Sequence, residues 1–486
     1  MSGKPTLTTW FDPALTRRIL ALSYPVMLAM LTQTLINQVD HILVGRLPIE
    51  ESTPGQAAVQ LSIVLLWAFG GFLSAISVGT QALTARRIGA QDIEGAGAIS
   101  TNSQVFSVLA SIVVTAICWA AAPELFALVN KDPKVVELGV PFLRWRFLQI
   151  TGMVTTISLK SFFDGLGKTR VHMGAAVVMN IANFLLCVAL MFGTQRPGIP
   201  FIDQVHATLV SLAGGYLPHL GVPGAGLASM ISSYIGLLIM VLWSFRPVYR
   251  PYHIRRLSNL SVRTMWDIVR LSVPSGLATM FAMSGFGFVL FVVARLDKLA
   301  GHNVGRTIYS AATSNIISVM QLIFILGLAY ATATATLVSQ SMGAKDPDLA
   351  ERYANTSARI GMAMFSAFGI CIAVFAEPIL RFWNPDPDVV AAAAPILRLV
   401  GGIVTPMISA ALVYTQALYG AGNTVFVMVA EGILHLICLV PLSYMAGITF
   451  HLGLVGVWSA MIFYVCALAL IMYFKFRSGD WKHIHI

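Results

Sequence analysis

Polar side chains inside long apolar stretches are the places where this sequence could do chemistry. An ionisable group in a hydrocarbon environment costs at least about 2.5–3.5 kcal/mol, so each one needs a compensating role. Asp40 and Glu431 lie well inside such stretches. Gln33, Asn37 and Asp40 are spaced by four and three residues, so on a helix they form one polar stripe. The stripe predicts either a carboxylate that exchanges a proton, a sodium ion or a cationic substrate, or a buried hydrogen bond that packs helices.

Amides and hydroxyls in two further apolar stretches could complete a site around Asp40. Asn180 and Asn183 lie one turn apart, and Ser229, Ser232 and Ser233 follow a Gly-Ala-Gly sequence. These groups can hold a cation or a proton. They are also suited to ordinary hydrogen bonds between helices, worth about 0.6 kcal/mol each.

A second candidate site combines Glu431 and His435, which are spaced i, i+4 and therefore share a helix face. A carboxylate beside an imidazole can hold or relay a proton near neutral pH. The alternatives are a structural ion pair and a glutamate that extends to the nearby helix end. Lys160 and Asp164 have the same spacing, and we expect a structural pair there.

Several chemistries are excluded by the residue pattern. Gly167-Lys168-Thr169 resembles part of a phosphate-binding loop, but Phe162 stands where that loop requires its first glycine. We find no metal-ligand cluster, no nucleophile with a base and no paired carboxylates, so an enzyme is disfavoured. The five cysteines lack metal-ligand or redox spacing. We therefore expect no metal and no cofactor, and an ion gradient or a partner as the energy source.

The composition indicates which elements must position these residues. Of 486 residues, 57% are hydrophobic and 11% are charged, against about 25% charged in a soluble domain. The chain is therefore predicted to be an all-α membrane protein in a lipid bilayer. Its net charge of +10 is assigned to membrane topology and lipid headgroups rather than to nucleic acid, since no basic patch interleaves with base-stacking aromatics.

Twelve transmembrane helices are predicted from the apolar runs. An even number places both termini on one side, and the roughly two-to-one distribution of lysine and arginine between the loops predicts the cytoplasm. The predicted spans are 19–45, 57–85, 98–122, 140–163, 171–193, 224–245, 266–294, 309–340, 351–376, 395–418, 424–447 and 454–476.

An internal repeat divides these helices into two six-helix lobes. Leu22-Ser23-Tyr24-Pro25 recurs as Leu271-Ser272-Val273-Pro274, and Gly165-Leu166-Gly167-Lys168-Thr169 recurs as Gly420-Ala421-Gly422-Asn423-Thr424. The predicted lobes are 1–245 and 266–486, joined by a basic cytoplasmic linker, 246–265, on an anionic leaflet. Two like bundles can rock about a shared axis and expose a cavity to either side in turn. Pro25 and Pro274 would be hinges or static kinks.

The chain resembles a known family, the multidrug and toxic compound extrusion (MATE) transporters, over nearly its whole length. The resemblance implies a secondary antiporter of the cell inner (plasma) membrane that exports amphipathic, usually cationic organic compounds in exchange for protons or sodium. It rests on Pro25, Asp40 and Gly45-Arg46, on the turn at Gly89-Ala90-Gln91-Asp92 and its twin at Gly343, and on the turn at Asp164–Thr169 and its twin at Tyr419–Thr424.

The resemblance also implies which residues carry the coupling ion. Asp40 corresponds to an aspartate of the first-lobe cation site, and Asn183 to its helix 5 asparagine; the aspartate that often follows is replaced by Cys187. A site with one carboxylate suits a proton better than sodium. Second-lobe acids of the family are missing near Ala282 and in helix 10, so Glu431 and His435 are candidates to replace them.

The leading prediction is proton-coupled export of small amphipathic substrates by a monomer. The nearest alternative within transport is a flippase for a lipid-linked precursor, which the few basic residues deep in the spans disfavour. A polytopic membrane enzyme is the alternative from another class.

Overall fold

The computed structural model describes residues 12–129, 132–300, 307–384 and 386–484. Within these ranges, residues 37, 38, 40, 41, 49, 50, 53, 129 and 383 are described by their backbone alone. The described chain is built from helices and connecting turns, without a strand. The all-α prediction is confirmed.

Twelve long helices follow the predicted spans, each beginning and ending within eight residues of the predicted boundary. They are α1 Pro13–Val44, α2 Pro54–Gly89 with a π-helical turn at Trp67–Gly71, α3 Ile93–Ala120, α4 Pro133–Gly165, α5 Arg170–Phe192, α6 Gly221–Ser244, α7 Val262–Leu299, α8 Ile308–Gly343, α9 Pro347–Val374, α10 Pro387–Ala421, α11 Thr424–Thr449 and α12 Gly453–Ser478.

Eleven described helices are both long and apolar enough to cross a membrane, and α4 is the one of the twelve that falls short in apolarity. Its 33 residues span about 50 Å, which is ample for a bilayer. Charged side chains lower its hydropathy, including Arg144, Arg146, Lys160 and Asp164. Because α4 packs against α2, α3 and α6, these charges are tolerated within a helical bundle.

The repeated turn between the second and third helix of each lobe has the same local structure in both. Asp92 caps α3 by accepting a hydrogen bond from the Gly95 amide at 2.8 Å, and Asp346 caps α9 through the Leu349 amide at 2.9 Å. Side-chain caps of this kind satisfy the free amides of a first helical turn. The preceding residues, Gln91 and Lys345, are left-handed with φ of 61° and 59°. The repeat seen in the sequence is therefore a repeat of backbone structure.

The packing of α1 and α7 crosses between the two halves of the chain. Leu15 and Ile19, in the first half of α1, are buried in a cluster formed by helices α8 to α12, whereas Leu43 is buried among first-half residues. In the same way, Ile268 of α7 packs into a first-half cluster and Val289 into a second-half cluster. Each of these two helices therefore belongs to both halves. The division at 245 and 266 stays a prediction.

The two halves contact each other at the end of the bundle that carries the α2–α3 and α8–α9 turns. Gly89 lies against the Gln340 carbonyl and Gly343 against the Arg86 carbonyl, each so closely that a Cβ atom would not fit. Nearby, Ser339 donates to the Ala82 carbonyl at 2.6 Å. The paired glycines let two backbones approach directly, which closes this end.

The connection between α6 and α7 is folded onto the first half. It consists of two 3-10 turns, Pro247–Tyr252 and Leu257–Asn259, and α7 begins at Val262, a few residues before the predicted boundary. Asn102 of α3 donates to the Asn259 carbonyl and accepts from the Ser261 amide, both at 2.8 Å. This linker is thus a docked segment with defined contacts.

Candidate functional site

The first-half candidate site depends on how α1, α5 and α6 pack together. Arg170 at the start of α5 lies 5.6 Å from the centre of the Tyr24 ring, and Asn180 bonds Thr32 further along both helices. Leu43 and Cys187 then share one buried cluster. In these three contacts the residue numbers rise together along both helices, so α1 and α5 are adjacent and parallel.

Asn180 connects these helices and keeps a spare acceptor. Its side chain is 6% exposed, and its Nδ2 donates to Thr32 Oγ1 at 3.1 Å. Its Oδ1 atom is buried and accepts no hydrogen bond from any residue that the structure describes. An unsatisfied buried carbonyl is costly, about 1–3 kcal/mol, unless a water, an ion or a substrate occupies it.

Asn183 is buried one turn beyond Asn180, and its Oδ1 lies 3.7 Å from Cys187 Sγ. The thiol therefore occupies the position where the resemblance leads us to expect a carboxylate. A thiol is a weak donor that adds no negative charge to the site when it is protonated.

Asp40 and Asn37 lie on the same helix, but their side chains are outside the part of the structure that is described. Asp40 is eight residues beyond Thr32, which places its backbone about 12 Å further along α1. That height corresponds to Cys187 on the parallel helix α5. Gln33 is half-buried beside Thr32. The predicted stripe thus runs along the part of α1 that packs with α5.

Ser229 lies on the stretch of α6 that packs against α5. Gly236 on one side of it contacts Met179, and Gly224 on the other contacts the Leu190 carbonyl. Ser229 is buried, and its backbone carbonyl accepts hydrogen bonds from Ser232 at 3.0 Å and Ser233 at 2.9 Å. Ser233 Oγ also accepts from Gln149 Nε2 of α4 at 2.7 Å, so this hydroxyl connects two helices, whereas that of Ser232 bonds within α6.

Glu431 and His435, the second-half candidates, are joined by a hydrogen bond between the imidazole and a backbone carbonyl. His435 is 1% exposed, and its Nδ1 bonds the backbone carbonyl of Glu431 at 2.8 Å. Its Nε2 is buried without a partner among the described residues. The imidazole packs against the rings of Phe286, at 5.7 Å between centres, and Tyr464, at 4.5 Å. The spare nitrogen is available to a proton or a ligand.

The local backbone around His435 is irregular. The segment Ile433–Leu439 is π-helical, and a second π-helical segment follows at Met445–Thr449. Such segments are rare and frequently mark functional sites. In α7, Gly285 makes room for the imidazole, since a Cβ there would lie 3.1 Å from His435 Cβ.

The repeat places His435 and Asn180 at equivalent positions. Each lies eleven residues beyond the aligned threonines Thr424 and Thr169. Both have one buried atom without a partner in the described structure, Oδ1 in Asn180 and Nε2 in His435. This equivalence is visible in the sequence once the two repeats are aligned by their turns.

The stripe on α1 has no polar equivalent on α7. Counting from Pro25 and Pro274, the residues that correspond to Gln33, Asn37 and Asp40 are Ala282, Phe286 and Val289. The two halves share a fold and differ in charge, so only the first half has a carboxylate on this face.

Lys160 and Asp164 form the expected pair, with Nζ 2.7 Å from Oδ2, but their position adds something that the spacing did not reveal. The backbone carbonyl of Asp164 accepts from Thr336 at 3.1 Å, and that of Gly165 accepts from Gln340 at 2.9 Å. The ion pair therefore lies in the last turn of α4, where it contacts α8. The conventional i, i+4 spacing gave no sign of this contact.

Comparison with known proteins agrees with this architecture. The MatE family model matches residues 25–189 and 274–445, so its two segments begin at the equivalent prolines Pro25 and Pro274. The chain is 22% identical to the probable multidrug resistance protein NorM of Thermotoga maritima, over 97% of this chain and 94% of that protein. It is 24% identical to the multidrug resistance protein MdtK of Cronobacter sakazakii, over 95% of each.

A solved structure shows the same fold over its full length. It is described as the outward-facing conformation of a multidrug resistance MATE family transporter, and it matches with a TM-score of 0.83, 21% identity and complete coverage of both chains. Since the family model covers more than half of the sequence, the chain belongs to the MatE family and is a multi-pass membrane transporter rather than an enzyme.

Proposed function

We propose that this protein exports amphipathic, cationic organic compounds across the inner membrane in exchange for protons, as a monomer with both termini in the cytoplasm. Its relatives named above are multidrug resistance proteins, which supports organic substrates and export. The buried, unpartnered Oδ1 of Asn180 beside α1 carries the proposal, because it provides an acceptor close to the carboxylate-bearing stripe.

The charge of the first-half site favours a proton as the coupling ion. Asp40 is the one carboxylate of the stripe, and Cys187 replaces the second. Sodium prefers several oxygen ligands with full or partial negative charge, whereas one carboxylate can bind one proton. Asp40 would be the titrating group, with Asn183 and Ser229 on the adjacent helices, and with Asn180 about 12 Å away along the helix axis at the Thr32 end of the stripe.

The contacts between the halves at one end of the bundle support an outward-facing starting state for this exchange. Hydrogen bonds from α8 to α2 and α4 hold the two halves together at the end with both termini. With those termini in the cytoplasm, these contacts would close the boundary between the halves on the cytoplasmic side. Protonation of Asp40 in this state would displace a bound cation, and proton release on the inner side would reset the first half.

The test uses purified protein in liposomes that contain a fluorescent cationic dye. A pH gradient and a sodium gradient are imposed separately on wild type and on Asp40→Asn. We expect dye movement with the pH gradient in wild type and a loss of at least about tenfold in the variant, because the amide cannot exchange a proton.

Glu137→Gln is the matched control, since Glu137 is an exposed carboxylate at the outer end of α4. It should transport like wild type. Movement driven by sodium alone would refute proton coupling and leave the transporter in place. Folded protein that moves no dye under either gradient would contradict the proposed substrate class.

A further inference from the structure

The linker between α6 and α7 lines an open pocket of about 360 Å³, away from the candidate sites on α1, α5 and α11. We call it the linker pocket. Aromatic rings from Phe245 and Tyr249 and the basic side chains of Arg250, His253, Arg255 and Arg256 line it. The volume lies in the usual range for small-molecule sites.

Contacts of Arg255 and Tyr249 hold two parts of the pocket wall in place. Arg255 donates to the Val241 carbonyl at 3.1 Å and to Ser244 Oγ at 2.5 Å, and its guanidinium lies 3.0 Å from the centre of the Phe245 ring. Tyr249 is buried and meets Phe163 edge-on at 5.2 Å. The walls are therefore ordered without a ligand.

The positive charge of this segment is unbalanced. Residues 246–263 contain five arginines and no aspartate or glutamate. Among the described residues, Glu94 is the carboxylate that approaches the pocket, 3.6 Å from His253 Nδ1, and no carboxylate pairs with Arg250 or Arg256. Both of these arginines are exposed at the pocket. An anion is the partner that such a pocket fits.

The surroundings favour a lipid as the source of that anion. The pocket lies between the end of one span, Ser244, and the start of the next, Val262. Large apolar side chains next to the pocket are exposed, with Val248 and Leu257 each 71% exposed. Side chains of this kind next to arginines are typical of a segment lying in the headgroup region of a bilayer.

We propose that the linker pocket binds the phosphate headgroup of an anionic phospholipid. The guanidinium groups of Arg250 and Arg256 contact the phosphate, Arg255 and the aromatic rings form the back wall, and the acyl chains lie along the exposed apolar side chains. Because the linker is docked on α3 by Asn102 and joins the two halves, the lipid would fix this joint at the membrane surface. Binding here does not depend on the transported compound or the coupling ion.

Lipid binding is tested by native mass spectrometry of the purified full chain with phosphatidylglycerol or phosphatidylcholine of the same acyl chains. The pocket variant is Arg250→Gln/Arg256→Gln. The control is Arg17→Gln/Arg477→Gln, which removes the same charge from exposed positions outside both the pocket and the linker. Two arginines at about 1 kcal/mol each predict that the pocket variant binds phosphatidylglycerol about thirtyfold more weakly than wild type and control.

Equal affinity of the wild type for the two lipids, or unchanged phosphatidylglycerol affinity in the pocket variant, would overturn the proposal. Sodium phosphate, added at about a hundredfold excess over the lipid, distinguishes a lipid headgroup from free phosphate as the ligand. If phosphate does not displace phosphatidylglycerol, the pocket binds the lipid headgroup. Full displacement would overturn the lipid assignment and indicate free phosphate. Since the substituted arginines are exposed, the lipid-free melting temperature should match wild type, which separates a lost ligand from a lost fold.

Discussion

At the scale of single residues, the two halves use one helix position in different ways. Asn180 and His435 are equivalent by the repeat, and each has an unpartnered buried polar atom in the described structure. Asn180 faces a helix that carries a carboxylate, whereas His435 faces phenyl and phenol rings. The sequence predicted the stripe because spacing determines a helix face. It could not predict the spare acceptor of Asn180, which depends on the neighbouring helix.

Thr32→Val tests the contact between α1 and α5. The valine keeps the shape of threonine but accepts no hydrogen bond from Asn180, so we expect a loss of about 0.6 kcal/mol in stability and weaker coupled transport. Thermal unfolding in detergent and the dye assay measure the two effects. Thr34→Val is the matched control, because Thr34 Oγ1 donates to the Met30 carbonyl of its own helix. Equal behaviour of the two variants would show that the Asn180 bond contributes nothing.

Glu431→Gln tests the second-half candidate. The substitution keeps the size and the backbone carbonyl that bonds His435, and it removes the charge. If Glu431 takes part in coupling, pH-driven dye transport should fall about tenfold with unchanged thermal unfolding. Unchanged coupled transport would leave the first half as the whole coupling site. Glu377→Gln, at a half-buried glutamate paired with Arg398, controls for loss of one carboxylate.

At the scale of elements, the helices themselves were predictable and their irregularities were not. Apolar runs located all twelve spans, since length and hydropathy determine what can cross a bilayer. The structure extends several of them with polar turns; α10 begins at Pro387, eight residues before the predicted start, where Asp386 caps it. The π-helical segments of α11 and the crossing of α1 and α7 depend on packing between helices, so a single-sequence pattern does not contain them.

Pro25→Ala and Pro274→Ala test the hinge prediction. Each proline lies near the point where its helix passes from one half to the other, and alanine would restore the missing backbone hydrogen bond. If the restored hydrogen bond opposes bending of the helix by about 1 kcal/mol, transport should be about fivefold slower. The thermal stability of the protein should not fall. Pro141→Ala is the control, because the neighbours of Pro141 in α4 pack within the first half. Wild-type transport rates in both variants would show that the two proline kinks do not act as hinges.

At the scale of the whole molecule, the closed end depends on two small turns. Gly89 and Gly343 meet the opposite backbone with no room for a side chain. The sequence showed these turns to be repeated, but their mutual contact required the three-dimensional arrangement. The same is true of Gln81, which donates from α2 to Thr336 of α8 at 2.8 Å.

Gly89→Leu tests this contact. The leucine side chain would overpack the contact between the two turns at a cost of about 1–3 kcal/mol. The equilibrium between the conformation with this end closed and the conformation with it open should therefore shift about 5- to 150-fold toward the open one. Distances between spin labels on the α2–α3 and α8–α9 turns would report the shift. Gly174→Leu is the control, because Gly174 has open space around it in α5. An unchanged distance distribution in Gly89→Leu would show that the turns separate without resistance.

The crossing of α1 has a consequence for biosynthesis. Leu15 and Ile19 emerge from the ribosome among the first residues, while the helices that bury them include α8, α10 and α12. The first of those helices begins about 290 residues later, at Ile308, and the last ends about 460 residues later, at Ser478. Until then the first part of α1 must remain in contact with lipid or with the insertion machinery. The packing of the first half of α1 is therefore completed only after the last helix has been inserted. A chain released before α12 would leave Leu15 and Ile19 incompletely buried.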